Sequence, residues 1–167
     1  MTDELINKLC GPDIKKHRQL HRSKLEPAFI AGQVFVIRLP TSPSPDDPSE
    51  ADRSGRIGCV VTTSRPGKER WEVARKQWES TAHDAVLPSS RQWDNQVFGP
   101  VRAEGKTKIP NGQDASYYVH VLATSPSARR RGLASTILRH VEELARNAGA
   151  ILALSTQSNS NVSLVSM

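Results

Sequence analysis

Tyr118, His120 and the run Arg129-Arg130-Arg131-Gly132-Leu133-Ala134 are the residues of this chain whose types and spacing invite chemistry. Adjacent guanidinium groups offer charge-assisted hydrogen bonds to phosphate oxygens, and a glycine beside them lets a ligand approach the backbone closely. An imidazole ordinarily titrates near neutral pH and can carry a proton, and a phenol can return one. Anion binding next to proton transfer is the chemistry such a set would serve.

The elements that must position these residues follow from the local pattern. Tyr117 to Ala123 (YYVHVLA) is rich in β-branched and aromatic residues and breaks at Thr124-Ser125-Pro126, which predicts a strand ending in a turn. Ala134, Ile137, Leu138, Val141, Leu144, Ala145 and Ala148 recur at three- and four-residue steps, which predicts one apolar stripe on a helix ending near Gly149. A strand therefore feeds a helix through a basic loop. The first turn of a helix leaves backbone N–H groups unpaired at its electropositive end, so the junction is expected to cradle a pyrophosphate. A strand, loop and helix carrying only a solvated arginine run is the alternative.

Arg129-x-x-Gly132-x-Ala134, after a strand and a proline-containing turn and before an amphipathic helix, resembles the acetyl-CoA loop of the GNAT N-acyltransferase superfamily (Gln/Arg-x-x-Gly-x-Gly/Ala). The context agrees with it. A further apolar run, Ala150 to Leu154, follows the helix as the family's next strand would, and Asn161 falls about where members often place an Asn near the pantetheine arm. Upstream, Gly55 to Gly67 (GRIGCVVTTSRPG) resembles the strand and Pro-Gly turn of fungal-type members, and Lys68 to His83 resembles their helical insert. The resemblance implies an α/β fold, specifically an α+β arrangement with a mixed, mainly antiparallel sheet flanked by helices. In the family the segment after the Asn continues to a Tyr, which in many members protonates the departing thiolate, and then to further strands. Here the sequence stops at Met167, one residue short of that Tyr, so the expectation is a single incomplete domain over 1–167 lacking the last helix and strands.

The resemblance also implies roles. Arg129, Arg130, Arg131, Gly132, Leu133, Ala134 and Ser135 would hold the pyrophosphate, with Thr136 as a further hydroxyl in the first turn. Leu122, Ala123 and Thr124 would meet the pantetheine, and a backbone N–H of Leu122 or Ala123 would serve the oxyanion where a bulge splays the strand. Strand alternation places Tyr118, His120 and Leu122 on one face. His120 would relay the acceptor's proton while titrating near neutral pH, and Tyr118 could replace the missing acid; a histidine satisfied in the core is the competing reading.

The rest of the chain sets bounds. With 167 residues it is one domain by length, and Cys10 and Cys59 lack metal or disulfide spacing, so no metal is expected and Cys59 is expected to be a buried strand residue. No secretory start or membrane-spanning apolar run is present, which suggests a cytoplasmic protein, with the nucleus open as an alternative. The net charge of +6 suits CoA phosphates or nucleic acid, but the basic run Lys15 to Arg22 lacks interleaved aromatics and reads as a solvated helix face.

Thr2 to Cys10 and Ile14 to Leu25 predict opening helices within 1–32, the second stopping at Glu26-Pro27. Gln33 to Leu39 and Arg56 to Thr63 predict strands, and the proline-rich, acidic stretch 41–55 a mobile loop. In the insert, Trp71, Ala74, Trp78 and Ala82 share one helical face and are expected to pack on the sheet. Asp84 to Ser116, with Pro88, Pro100 and Pro110, is expected to be irregular with a short helix at most. The functional expectation is transfer of an acetyl group from acetyl-CoA to a primary amine, either a small molecule or a lysine, centred on 117–161. A catalytically impaired CoA-binding remnant and a basic nucleic-acid-binding module are the alternatives, and an open sheet edge suggests a homo-oligomer.

Overall fold

Alternating apolar residues in the segments around 33, 57 and 118 can be buried only if those segments pair. In the computed structural model, which describes residues 4–40 and 55–155, they do. β1 (Gln33–Leu39), β2 (Arg56–Ser64), β3 (Tyr117–Thr124) and β4 (Leu152–Leu154) form one sheet in that spatial order. β1/β2 and β2/β3 are antiparallel and β3/β4 is parallel, the mixed, mainly antiparallel sheet expected. The stretch 41–54, expected to be a mobile loop, lies outside the described residues.

The parallel β3/β4 pair needs a crossover, and α7 (Leu133–Asn147) supplies it. Its predicted stripe is buried: Ile137, Leu138, Val141 and Ala145 pack with Cys59 and Val61 of β2 and with Tyr117 and Val119 of β3. The helix ends where expected, with Gly149 at φ 65° and the N–H of Ala150 donating to the carbonyl of Ala145 at 2.9 Å. α2 (Ile14–Ala31) also reaches β1, β2 and β3. A second cluster joins α1 (Glu4–Cys10) to α2, with Ile6, Leu9, Cys10, Leu20 and Ala85 at its centre.

Three expectations are corrected. α2 does not stop at Glu26-Pro27 but runs through Pro27 to Ala31. A proline inside a helix forfeits one backbone bond and costs about 3 kcal/mol; here Pro27 and Ala28 are fully buried, so packing offsets that loss. The insert is not one helix over Lys68 to His83 but two, α3 (Lys68–Gln77) and α4 (Glu79–Ala85), joined at Trp78, whose ψ of 4° interrupts the helical path. The segment from Asp84 to Ser116 is largely helical: α5 (Pro88–Trp93), a π-helical turn (Asp94–Phe98) and α6 (Gly99–Thr107) precede a 3-10 turn at Gln113–Ala115. Pro88 and Pro100 lie in the first turns of α5 and α6, where the missing N–H costs nothing, so these prolines begin helices and do not break them.

Candidate active site

The loop between β3 and α7 is held at its base by the N–H of Ser125, which donates to the carbonyl of Gly58 at 2.9 Å. A 3-10 turn, Pro126–Ala128, buries Ala128 and turns the following arginines outward, so Arg129, Arg130 and Arg131 are all exposed. Arg130 has φ 59° and Gly132 φ 74°. Left-handed backbone at such points gathers successive N–H groups into a concavity suited to an anion. A Cβ on Gly132 would meet no atom within 4 Å, so the glycine serves its backbone conformation and leaves open space above it.

Helix α7 begins at Leu133 with no side-chain cap and no acid in its first turn. Its first intrahelical bond is donated by Thr136 to Gly132 at 2.9 Å, which leaves the N–H groups of Leu133, Ala134 and Ser135 for a ligand. Leu133 and Ala134 pack their side chains against the core and thereby fix the helix end. Arg56, which sequence reasoning did not single out, donates from its guanidinium to Ser127 Oγ at 2.9 Å and adds a fourth basic group beside the loop. Its separation from the loop in sequence hid it. Asn161 lies outside the described residues.

β3 presents an open edge next to this loop. Its pairing with β4 runs only from Tyr117↔Leu152 to Val119↔Leu154, and no described strand pairs with that edge beyond Val119. On the other edge the register slips: Thr62 pairs with Val121 but Thr63 with Val119, so His120 is the extra residue of a β-bulge. The bulge corrects the expected alternation. Tyr118 and His120 share a face, whereas Leu122, opposite Val61, packs into the α7 core, and Thr124 Oγ1 lies 3.4 Å from the buried Cys59 Sγ. Tyr117, on that same core face, sends its N–H to the β4 side, bonding Ile151 at 2.8 Å. By the same parity Leu122 and Thr124 turn their N–H groups to the open edge, and Ala123, opposite Val60, turns its own to β2.

His120 is half-buried among groups from several elements. Its ring stacks on Trp71 of α3 with centroids 3.9 Å apart and planes at 16°, and meets the edge of Tyr118 at 5.1 Å. Nε2 lies 3.0 Å from Ser64 Oγ at the end of β2. Burial, with the Lys106 ammonium adding to it, pushes the imidazole pKa down to about 4, so the expected titration near neutral pH is corrected: His120 is neutral at pH 7. The Tyr118 hydroxyl is 2.9 Å from Ser155 Oγ, at the end of β4. Of the insert's face expected to pack on the sheet, Trp71 does so, with the candidate base as its partner, whereas Trp78 faces the Arg22 guanidinium of α2 and Ala82 packs against the α1–α2 cluster. Ser64 and Trp71 both escaped the sequence reading as site residues, since neither belongs to the loop motif.

Elsewhere the basic run on α2 is a solvated face: Lys15, Arg18, His21 and Arg22 are exposed, and Arg22 pairs with Glu26 at 2.8 Å. Among the described residues no helix is long and apolar enough to cross a membrane.

Comparison with known proteins agrees with the geometry. No curated protein matches the chain, and neither does any solved structure. The family model described as Acetyltransferase (GNAT) family matches residues 58–167, which takes in most of β2, the bulged strand, the arginine-glycine loop and α7. That match spans more than half of the 167 residues, and the chain belongs to the GNAT acetyltransferase family.

Proposed function

We propose that the chain is an acetyl-CoA-dependent N-acetyltransferase acting on a primary amine, a small molecule or a lysine side chain. The observation that carries this reading is the uncapped start of α7 behind Gly132, set directly beside the open edge of β3. The residues present fit the donor. Leu133, Ala134 and Ser135 offer free N–H groups, Arg129, Arg130 and Arg131 offer charge to a pyrophosphate, and no carboxylate in the first turn opposes it. The N–H groups of Leu122 and Thr124 would pair with the amide-bearing pantetheine as a neighbouring strand would.

Bound acetyl-CoA supplies an activated thioester carbonyl. The Leu122 N–H, fixed in the sheet, would donate to the carbonyl oxygen as negative charge grows there. His120, neutral at pH 7, would accept the acceptor's proton at its unprotonated ring nitrogen, and Tyr118, whose hydroxyl is engaged with Ser155, is the nearest phenol to return one. Asn161 would add a contact to the pantetheine arm. The protein would work as a soluble cytoplasmic enzyme, and self-association through an open sheet edge accords with the same reading.

The test is titration of acetyl-CoA into the purified chain while following thermal unfolding, with Gly132→Glu as control. A ligand that binds only the folded state raises the midpoint. A dose-dependent rise in the wild type and none in the variant is expected, followed by thiol release when amines are supplied. No rise in the wild type would sink the reading.

A further inference from the structure

A bulge residue has no cross-strand partner of its own, so the position of its side chain depends on what packs around it. For His120 that support comes from outside the strand. Trp71 of α3 covers one face of the imidazole at 3.9 Å, Ser64 of β2 holds Nε2 at 3.0 Å, and the Tyr118 ring edge closes the flank at 5.1 Å. Nδ1 has no hydrogen-bond partner among the described residues.

We propose that Trp71 is a positioning residue for His120: its indole clamps the imidazole with Nε2 on the Ser64 hydroxyl and leaves Nδ1 as the nitrogen that exchanges a proton. The role assigned to that proton rests on the acyl-transfer reading; the clamp rests on the contacts alone. A hydroxyl can donate or accept; in the arrangement proposed, Nε2–H donates to Ser64 and the lone pair stays on Nδ1. A near-parallel indole at stacking distance blocks rotation of the ring away from that partner. The groups facing the ring are Trp71 from α3, Ser64 from β2, Tyr118 from its own strand and Lys106 from α6, whose ammonium is the one charge acting on it among the described residues. An indole face by itself attracts an imidazolium; burial and the Lys106 ammonium act in the opposite direction and favour the neutral ring. Removing the indole therefore both frees the rotor and readmits water.

Nitrogen-15 spectra of the histidine rings in the full chain, recorded from acid to neutral pH, test this without any substrate. The wild type is expected to show one fixed tautomer of His120 that protonates only near pH 4, and Trp71→Ala is expected to average the two tautomers and move the midpoint toward the ordinary 6.5. Trp71→Phe, which keeps an aromatic face, should restore the wild-type pattern. Ser64→Ala should change the Nε2 signal while the midpoint stays low. If Trp71→Ala does not fold, Trp71→Leu fills the volume without a stacking face and must show the same averaging. A wild-type ring that already averages its tautomers, or alanine and leucine variants with unchanged spectra, would overturn the proposal. A wild type that transfers no acetyl group would sink the acyl-transfer reading while leaving these spectra as they are, so the two failures are told apart.

Discussion

The guanidinium of Arg56, at the first position of β2, donates to the hydroxyl of Ser127, 2.9 Å away in the turn that precedes the arginine run. This contact ties the loop to a strand far from it in sequence. Arg56→Ala is expected to change the unfolding midpoint little, because a single exposed polar contact contributes on the order of 1 kcal/mol or less. Acetyl-CoA affinity should fall by roughly 3- to 10-fold, the size of one charge-assisted contact or of a loosened loop. Calorimetric titration of both proteins decides it, and equal affinities would remove Arg56 from the site.

Gly132 separates backbone conformation from charge. At φ 74° any side chain is strained, and Gly132→Ala should cost roughly 1–2 kcal/mol of stability while preserving most acetyl-CoA binding, since nothing lies within 4 Å of the added carbon. Gly132→Glu should add a carboxylate against the bound phosphates and abolish binding. Denaturant midpoints with and without ligand separate the effects; an alanine variant as blind to ligand as the glutamate variant would refute the electrostatic account.

His120 makes stability depend on pH with a definite sign. Its folded pKa of about 4 lies below the ordinary 6.5, so between those values the unfolded chain binds more protons and stability falls as the pH drops. The contribution is fully present above 6.5 and is lost as pH falls toward 4; the full shift corresponds to about 3 kcal/mol as an upper figure. Urea midpoints across this range should fall more steeply for the wild type than for His120→Gln. Parallel slopes would show that the imidazole is not held neutral.

Leu138 tests the packing of α7 apart from the cradle. It is 6% exposed in the cluster with Val61 and Val119, and Leu138→Ala should cost about 2–5 kcal/mol by opening a cavity. At a temperature where the variant is still folded, acetyl-CoA affinity should stay within a few-fold of the wild type. A stability loss well under 1 kcal/mol would contradict the buried stripe.

Elements whose periodicity is local were legible from the residues alone. The α7 stripe, the end at Gly149 and the apolar strands follow from spacing, and the loop from an arginine-glycine pattern between a strand and a helix. Two kinds of feature were not. Pro27, Pro88 and Pro100 read as breaks, because a proline's effect depends on whether it sits in a first turn or is buried against a neighbour, and sequence shows neither. The bulge at His120 arises from register with β2, a property of two strands, so an unbroken alternation wrongly grouped Leu122 with Tyr118. The same limit hid Arg56, Ser64 and Trp71, which reach the site only through pairing and packing across the sheet.

The extra residue at His120 divides β3 into two lengths of opposite parity, and this bears on what a change of strand length would do. Before it, side chains on one face gather around the imidazole; after it, main-chain N–H groups turn to the open edge. A single-residue deletion within Tyr118–Val121 would rejoin the two lengths into one unbroken strand. Leu122 would keep its place opposite Val61 and its N–H at the open edge, and what would be lost is the unpaired place that the imidazole occupies. A change of length at this point would therefore separate the two halves of the site, removing the bulged position on the imidazole side while leaving the main-chain edge in place.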